Sequence, residues 1–392
     1  MVTFPASAVG AEAELLARQL ARFETAHPGI RVEQRSTPDA ADQRHQLYVQ
    51  WLNAGARDPD VLQLDVIWTP EFAAAGWILP LEELGAEPED FLPATLEANR
   101  FEGRLYAIPW FADVGMLYWR SDLLDEAPRS FDALGEAARA ALDAGRVSQG
   151  FVWQGARYEG LVTVFLEFLG GFGGRLLDPS GRVVVDSPEA LRALQAMRDS
   201  LETGVAPREV LGWQEEQVRF AFQSGRALFM RNWPYAVPLL EDPTHSQVAG
   251  RFSVAPMPAE PGGRPTASLG GAQLAINARS DAPEAAWQLV EFLTLPEQMV
   301  ERARVAGQLP TRRSLYRGDS LEDALPVPVP EARRILEAAT PRPVTPVYTE
   351  LSAALQVPLH RALTGQLTPR AALQQAAQAM RGVLQRRGLD AG

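Results

Sequence analysis

Ahead of Trp68 the hydrophobic pattern switches back and forth between period 2 and period 3.6, and this alternation limits the possible folds more than any other feature. Residues 2–4 read as a short strand. Leu16, Leu20 and Phe23 then recur at i, i+4 and i+7, the stripe of an amphipathic helix over 11–27 that Pro28-Gly29 stops. Residues 30–35 alternate as a strand does, 38–54 read as a second helix, and 61–67 form an apolar strand bounded by Asp-Pro. Strand, helix, strand, helix, strand is the order of a parallel α/β lobe. At 392 residues the chain exceeds one ordinary core, so two to three domains, or two lobes sharing the chain, are expected.

Beyond that lobe, 105–109 is strand-like, and Trp110-Phe111-Ala112-Asp113 runs into a further strand at 114–120 with no helix between them. The chain is therefore expected to leave the first lobe here. Helices follow at 130–144, 158–169, 188–203 and 215–223, with strands at 150–154 and 227–230. The GGFGG run at 170–174 lacks the context of a dinucleotide loop and reads as a C-cap and turn. A hairpin-type turn is expected at 178–181. After a strand at 252–256, the Pro/Gly-rich residues 258–265 read as a crossing, and SLGGA enters a strand at 273–277 followed by a helix at 282–295. A second crossing is expected near 310–314. The last third is helical, broken at 326–330 and 341–346 by prolines.

Composition removes several function classes. Hydrophobic residues make up 46% and charged residues 22%, a soluble balance, and no stretch is apolar enough to span a bilayer. A net charge of -12 argues against a nucleic-acid partner, which needs a basic face; neutral or cationic ligands fit better. Every basic residue is Arg, so no lysine nucleophile, Schiff base or P-loop is available, and without Cys there is no thiol chemistry. The first residues carry no basic and apolar export signal, so a cytoplasmic chain and a trimmed exported one would look alike. His27, His45, His245 and His360 share no metal spacing and read as surface or capping residues. No G-x-S-x-G elbow occurs. The enzymatic option left is a glycosidase-like carboxylate pair drawn from Glu12, Asp65, Asp113 and Glu215, whose separations the sequence does not give.

Binding chemistry is easier to find. In FMRNWPYAVPL, residues 229–239, Trp233 and Tyr235 stand beside Arg231 and Asn232. Flat apolar faces with hydrogen-bonding rims suit a ring-shaped polyol, while a turn around one core Trp is the simpler alternative. Ligands of open α/β sheets gather beyond the carboxyl ends of strands, which gives weight to Glu12, Asp65 and Asp113. Glu12, in a first helical turn, is equally an acid favoured by the helix dipole. Asp65 lies in an apolar strand, where a carboxylate must be paired or sit at an open end.

Over nearly its whole length the chain resembles the sugar-binding proteins of ABC importers, and among them the trehalose/maltose-binding group. The resemblance rests on LQLDVIW around Asp65, PWFADVGMLYWRSDLL, FVWQGARYEGLVTVFLE, FMRNWPYA, SLGG before Ala272 and TPRPVTPVY around Arg342. It implies an α/β fold of the two-lobed periplasmic-binding-protein type II, with about three crossings and a ligand cleft between the lobes. The lobes would comprise 1–111 with 264–313, and 112–263 with 314–392. The resemblance further implies that Glu12, Arg44, Asp65 and Asp113 bond sugar hydroxyls and that Trp233 stacks on a sugar ring. Tyr235 and the Gly271 backbone would line the cleft, Arg342 would reach in, and Glu215 is carried over as well. Two positions depart from the group. Ala272 stands where a Trp is usual, and Phe111 where a Tyr is usual, which opens the identity of the sugar.

The implied function is therefore non-enzymatic and free of cofactors. The chain would bind an α-glucoside disaccharide such as trehalose or maltose, or a related oligosaccharide, and deliver it to membrane permease subunits. A glycoside hydrolase is the rival reading. The resemblance also implies a monomer in the periplasm or outside the cell, membrane-associated through a lipid anchor on the full-length protein.

Overall fold

The computed structural model describes residues 1–6, 11–38, 41–325 and 327–389. Residues 39 and 40 of the helix expected at 38–54, and Pro326 of the expected break, fall outside them. The chain divides into two compact units. One comprises Met1–Asp113, Leu269–Val329 and Val344–Tyr348, the other Val114–Ser268, Pro330–Pro343 and Thr349–Gly392. Residues 314–329 thus belong with the first unit, where the sequence suggests a crossing near 310–314. The cause is local anchoring: the Ser314 backbone and hydroxyl both donate to Asp90, at 3.0 and 2.6 Å, and the buried Tyr316 donates to the Pro310 carbonyl at 2.9 Å. The passage expected within 258–265 falls instead at Ser268.

In the first unit the strands Val2–Ala6 and Val32–Ser36 pair in parallel, joined by the helix Ala11–Ala26. That helix buries Leu15, Leu16, Leu20 and Phe23 along one stripe. The third strand, Val61–Asp65, takes its partner from far along the chain: it pairs antiparallel with Ala267–Ile276, Val61 opposite Ile276 and Asp65 opposite Ala272. An all-parallel lobe is therefore corrected to a mixed one. Tyr48, Leu52, Leu62, Leu64, Trp68 and Phe72 pack into one cluster around this strand. Each such side chain stabilises by about 1.5–3 kcal/mol when fully buried, so the register of the strand is firmly set.

Two strand boundaries also differ from expectation. The strand at 61 ends at Asp65, putting the carboxylate at an end and not inside. A single strand, Ala107–Val114, contains Asp113, and a new one begins at Met116. Nearly all of Ala107–Val114 is buried, so no alternation marks its limits.

The second unit is built on a four-stranded sheet ordered Ser253–Ala255, Met116–Trp119, Ala227–Asn232, Gln149–Val152. Only the last pair is parallel, with Phe151 opposite Phe229. The helix Glu159–Gly171 is apolar and buried on nearly all sides, as a helix inside a unit must be. Ser130, Ser187 and Thr368 cap three further helices by accepting from backbone N–H groups three residues on. Among the described residues no helix is long and apolar enough to cross a membrane.

Candidate functional site

Within the first unit the sheet collects five of the sequence-selected residues. Asp65 ends its strand opposite Ala272, and Gly271 beside it has a φ of 105°. A Cβ at Gly271 would run into the Phe111 carbonyl oxygen and lie 2.9 Å from the Asp113 nitrogen. Phe111, Asp113, Gly271, Ala272 and Asp65 thus lie on three adjoining strands. Asp65 Oδ1 accepts from the Ile67 backbone at 3.2 Å, and Phe111 leans on Trp110 with ring centroids 5.4 Å apart.

Glu12 belongs to a cluster that the sequence does not announce. Its Oε1 accepts from Arg302 Nη2 and Gln308 Nε2, both at 2.9 Å. Arg302 is buried, its guanidinium 3.9 Å from the Trp110 ring centroid and 5.2 Å from that of Phe111. Burial pulls the guanidinium down to about 10, opposed first by the Glu12 charge, so it stays cationic at neutral pH. Glu12 is thus neither a helix-dipole acid alone nor free for a ligand with all its lone pairs. Arg44 lies against Trp68 at 5.3 Å and donates to the Pro38 carbonyl at 3.0 Å. His45, expected as a surface or capping residue, is half-buried, 2.9 Å from Glu71 and 5.3 Å from the Trp68 ring.

Within the second unit, Trp233 and Tyr235 follow directly on the strand Ala227–Asn232. Trp233 is half-buried; its Nε1 faces Glu215 Oε1 at 3.4 Å and its carbonyl accepts from Tyr118 at 2.6 Å. Tyr235 donates to Glu216 at 2.7 Å. Burial, followed by the charge of Glu215, pushes the Tyr158 hydroxyl far above its ordinary range, and burial with Glu216 does the same to Tyr235. Both phenols are therefore neutral donors at any physiological pH. The polar rim is not where the sequence suggests: Arg231 and Asn232 are fully buried. Asn232 bonds the Glu215 carbonyl and the Trp233 backbone, while the Arg231 guanidinium lies 3.9 Å from the Trp233 ring centroid. Arg342 is also turned to a partner, donating to Glu159 at 2.7 Å, and Ser352 holds the other oxygen of that carboxylate.

Trp233, Tyr235, Glu215 and Tyr158 thus form one aromatic and acidic group, with Arg342 bonded to the residue after Tyr158. Of these, the chemical role of Tyr158 is missed from sequence, although YEGL is visible as a motif. Half-covered aromatic rings beside carboxylates suit neutral polyhydroxyl compounds, whose C–H faces stack and whose hydroxyls donate.

Two α/β units built from interleaved segments define a two-lobed binding protein of type II. A family model described as bacterial extracellular solute-binding protein matches residues 7–300, and the chain belongs to that family, one of binding proteins and not of enzymes. A probable ABC transporter-binding protein of Deinococcus radiodurans is 37% identical over 358 residues, 88% of this chain and 84% of that one. Among solved structures, maltose-bound MalE3 of T. maritima is 44% identical with a TM-score of 0.91, covering 98% of this chain and 99% of that one. The GacH receptor of Streptomyces glaucescens, solved unliganded and with acarbose, is 25% identical with a TM-score of 0.87, covering 98% of each chain.

Proposed function

We propose that this protein captures an α-glucoside disaccharide, maltose or trehalose, or a related oligosaccharide, and hands it to the permease of a carbohydrate ABC importer. It would work as a monomer outside the cytoplasmic membrane. The observation that carries the reading is the half-buried Trp233 indole, backed by a guanidinium and edged by Glu215, a platform made for a sugar ring. Similarity to a maltose-bound protein at 44% identity supports an α-linked glucose unit. In this reading Asp65, Asp113, Glu12 and Glu215 accept hydroxyl protons, Arg44 and Arg342 donate, and Tyr235 and the Gly271 backbone line the site. Each net hydrogen bond contributes about 0.5–1.5 kcal/mol, so several together with stacking reach micromolar binding. Ala272 offers no second indole, and Phe111 no hydroxyl, so Trp233 carries most of the stacking.

Calorimetric titration with maltose and with trehalose tests this. Trp233→Ala should bind the preferred sugar at least tenfold more weakly while melting as the wild type does, a loss of about 1.4 kcal/mol. Wild-type affinity in a natively melting variant would sink the assignment.

A further inference from the structure

One strong interaction in the second unit lies behind the aromatic group. Arg231, on the strand Ala227–Asn232, and Glu167, on the helix Glu159–Gly171, are both fully buried. They make a two-pronged pair, Nε to Oε2 at 2.8 Å and Nη2 to Oε1 at 2.5 Å. Burying two charges carries a large desolvation penalty, and an apolar pair of similar volume often serves stability as well or better. A buried pair therefore calls for a reason beyond stability.

Its neighbours suggest one. The guanidinium lies 3.9 Å from the Trp233 ring centroid, covering one face of the indole. Glu167 Oε1 also accepts from the Ser268 backbone at 3.1 Å, and Gln154 brackets the arginine by donating to the Arg231 carbonyl at 3.2 Å. Gly115 leaves room for both members, since a Cβ there would strike Glu167 Oε1 and Arg231 Nη2. Gly115 in turn donates to the Ser268 carbonyl at 3.3 Å. Gly115 and Ser268 stand where the chain enters and leaves the second unit, at 113–114 and 268–269.

We propose that Arg231 and Glu167 are a positioning pair for ligand recognition: Glu167, anchored to Ser268, fixes the guanidinium that sets the angle of the Trp233 indole. The pair touches no sugar and acts only through Trp233, so the inference rests on the reading that Trp233 stacks on a sugar ring.

The test is a cycle with E167M/R231M, which removes both charges together and leaves none stranded. The double variant should melt near the wild type yet bind maltose or trehalose, whichever the wild type prefers, about tenfold more weakly. In a Trp233→Ala background the same two changes should alter affinity less than twofold, because the ring they position is gone. Trp233 emission, taken as the difference from a Trp233→Phe reference, should shift in the double variant without sugar. An equal loss with and without Trp233, or unchanged affinity in a natively melting protein, would overturn the proposal. If the double variant fails to fold, Arg231→Lys, which keeps the charge and one donor, decides through the same cycle. Should the wild type bind neither sugar, the functional reading fails, and the emission arm alone judges the pair: a shift supports it and an unchanged spectrum refutes it.

Discussion

Gly271 shows how a single residue shapes the first unit. Its φ of 105° is strained for any residue with a Cβ, and the Cβ of an alanine would press on the Phe111 carbonyl, a backbone group that cannot step aside. Gly271→Ala should therefore lower stability by at least about 1–3 kcal/mol of backbone strain, before any clash is counted. A urea midpoint equal to the wild type would contradict this. At this scale the sequence reveals residue type well and partnership poorly. Trp233 and Tyr235 stand out because few loops combine such side chains, and Asp65 stands out as a carboxylate among apolar neighbours. The partner of Glu12, by contrast, lies 290 positions away at Arg302, and that of Arg231 lies 64 away at Glu167. No local pattern encodes separations of that size, so Arg231 reads as a polar rim residue when its side chain in fact points inward.

Helices and turns were the most legible elements. The helix expected at 215–223 is found at Glu215–Gln223, and that at 188–203 at Pro188–Glu202, because caps and a one-sided apolar stripe are written in contiguous residues. The turn at 178–181 is equally local. Asp178 Oδ1 accepts from the Ser180 hydroxyl at 2.6 Å and from the Ser180 and Arg182 backbones, while Oδ2 accepts from Arg182 Nε at 2.9 Å. These bonds, the Ser180 hydroxyl foremost, hold the Asp178 carboxyl well below the usual carboxylate range. A depressed native value means that the ionised form stabilises the fold above the unfolded-state pKa of about 4, and that this stability is lost as pH falls through the native value. Asp178→Asn should accordingly melt below the wild type at pH 7, with the gap narrowing as pH drops below about 4. A gap constant across that range, followed by differential scanning calorimetry, would refute it. Strand direction was the least legible property. Val61–Asp65 is apolar enough to fit a parallel or an antiparallel neighbour, and its true partner appears some two hundred residues later.

For the molecule as a whole, the early α/β alternation was enough to indicate a sheet-based lobe, but the points where the chain changes unit were not. Pro-rich stretches mark breaks in structure without saying which unit the next residue joins. The first unit depends on its late segments. Gln19 and Arg22 of the first helix bond Gln298, Glu12 bonds Arg302, and among the described residues the third strand finds its sheet partner only from Ala272 on. A fragment covering 1–113 should therefore show no cooperative thermal transition and a flat near-ultraviolet dichroism spectrum. A sharp transition in that fragment would show that its own contacts suffice. The second unit, too, waits for the helix Pro369–Arg386, whose Arg381 reaches the Val183 carbonyl and Asp186. This interleaving has a consequence for biosynthesis. At a synthesis rate of about 5–20 residues per second, roughly 10–40 s separate the emergence of Val61 from that of Ala272. Through that interval the apolar strand Val61–Asp65 presents an unpaired edge, the kind of surface to which another chain adds. The nascent protein's exposure to aggregation at this edge lasts until the segment Ala272–Ile276 arrives to close it.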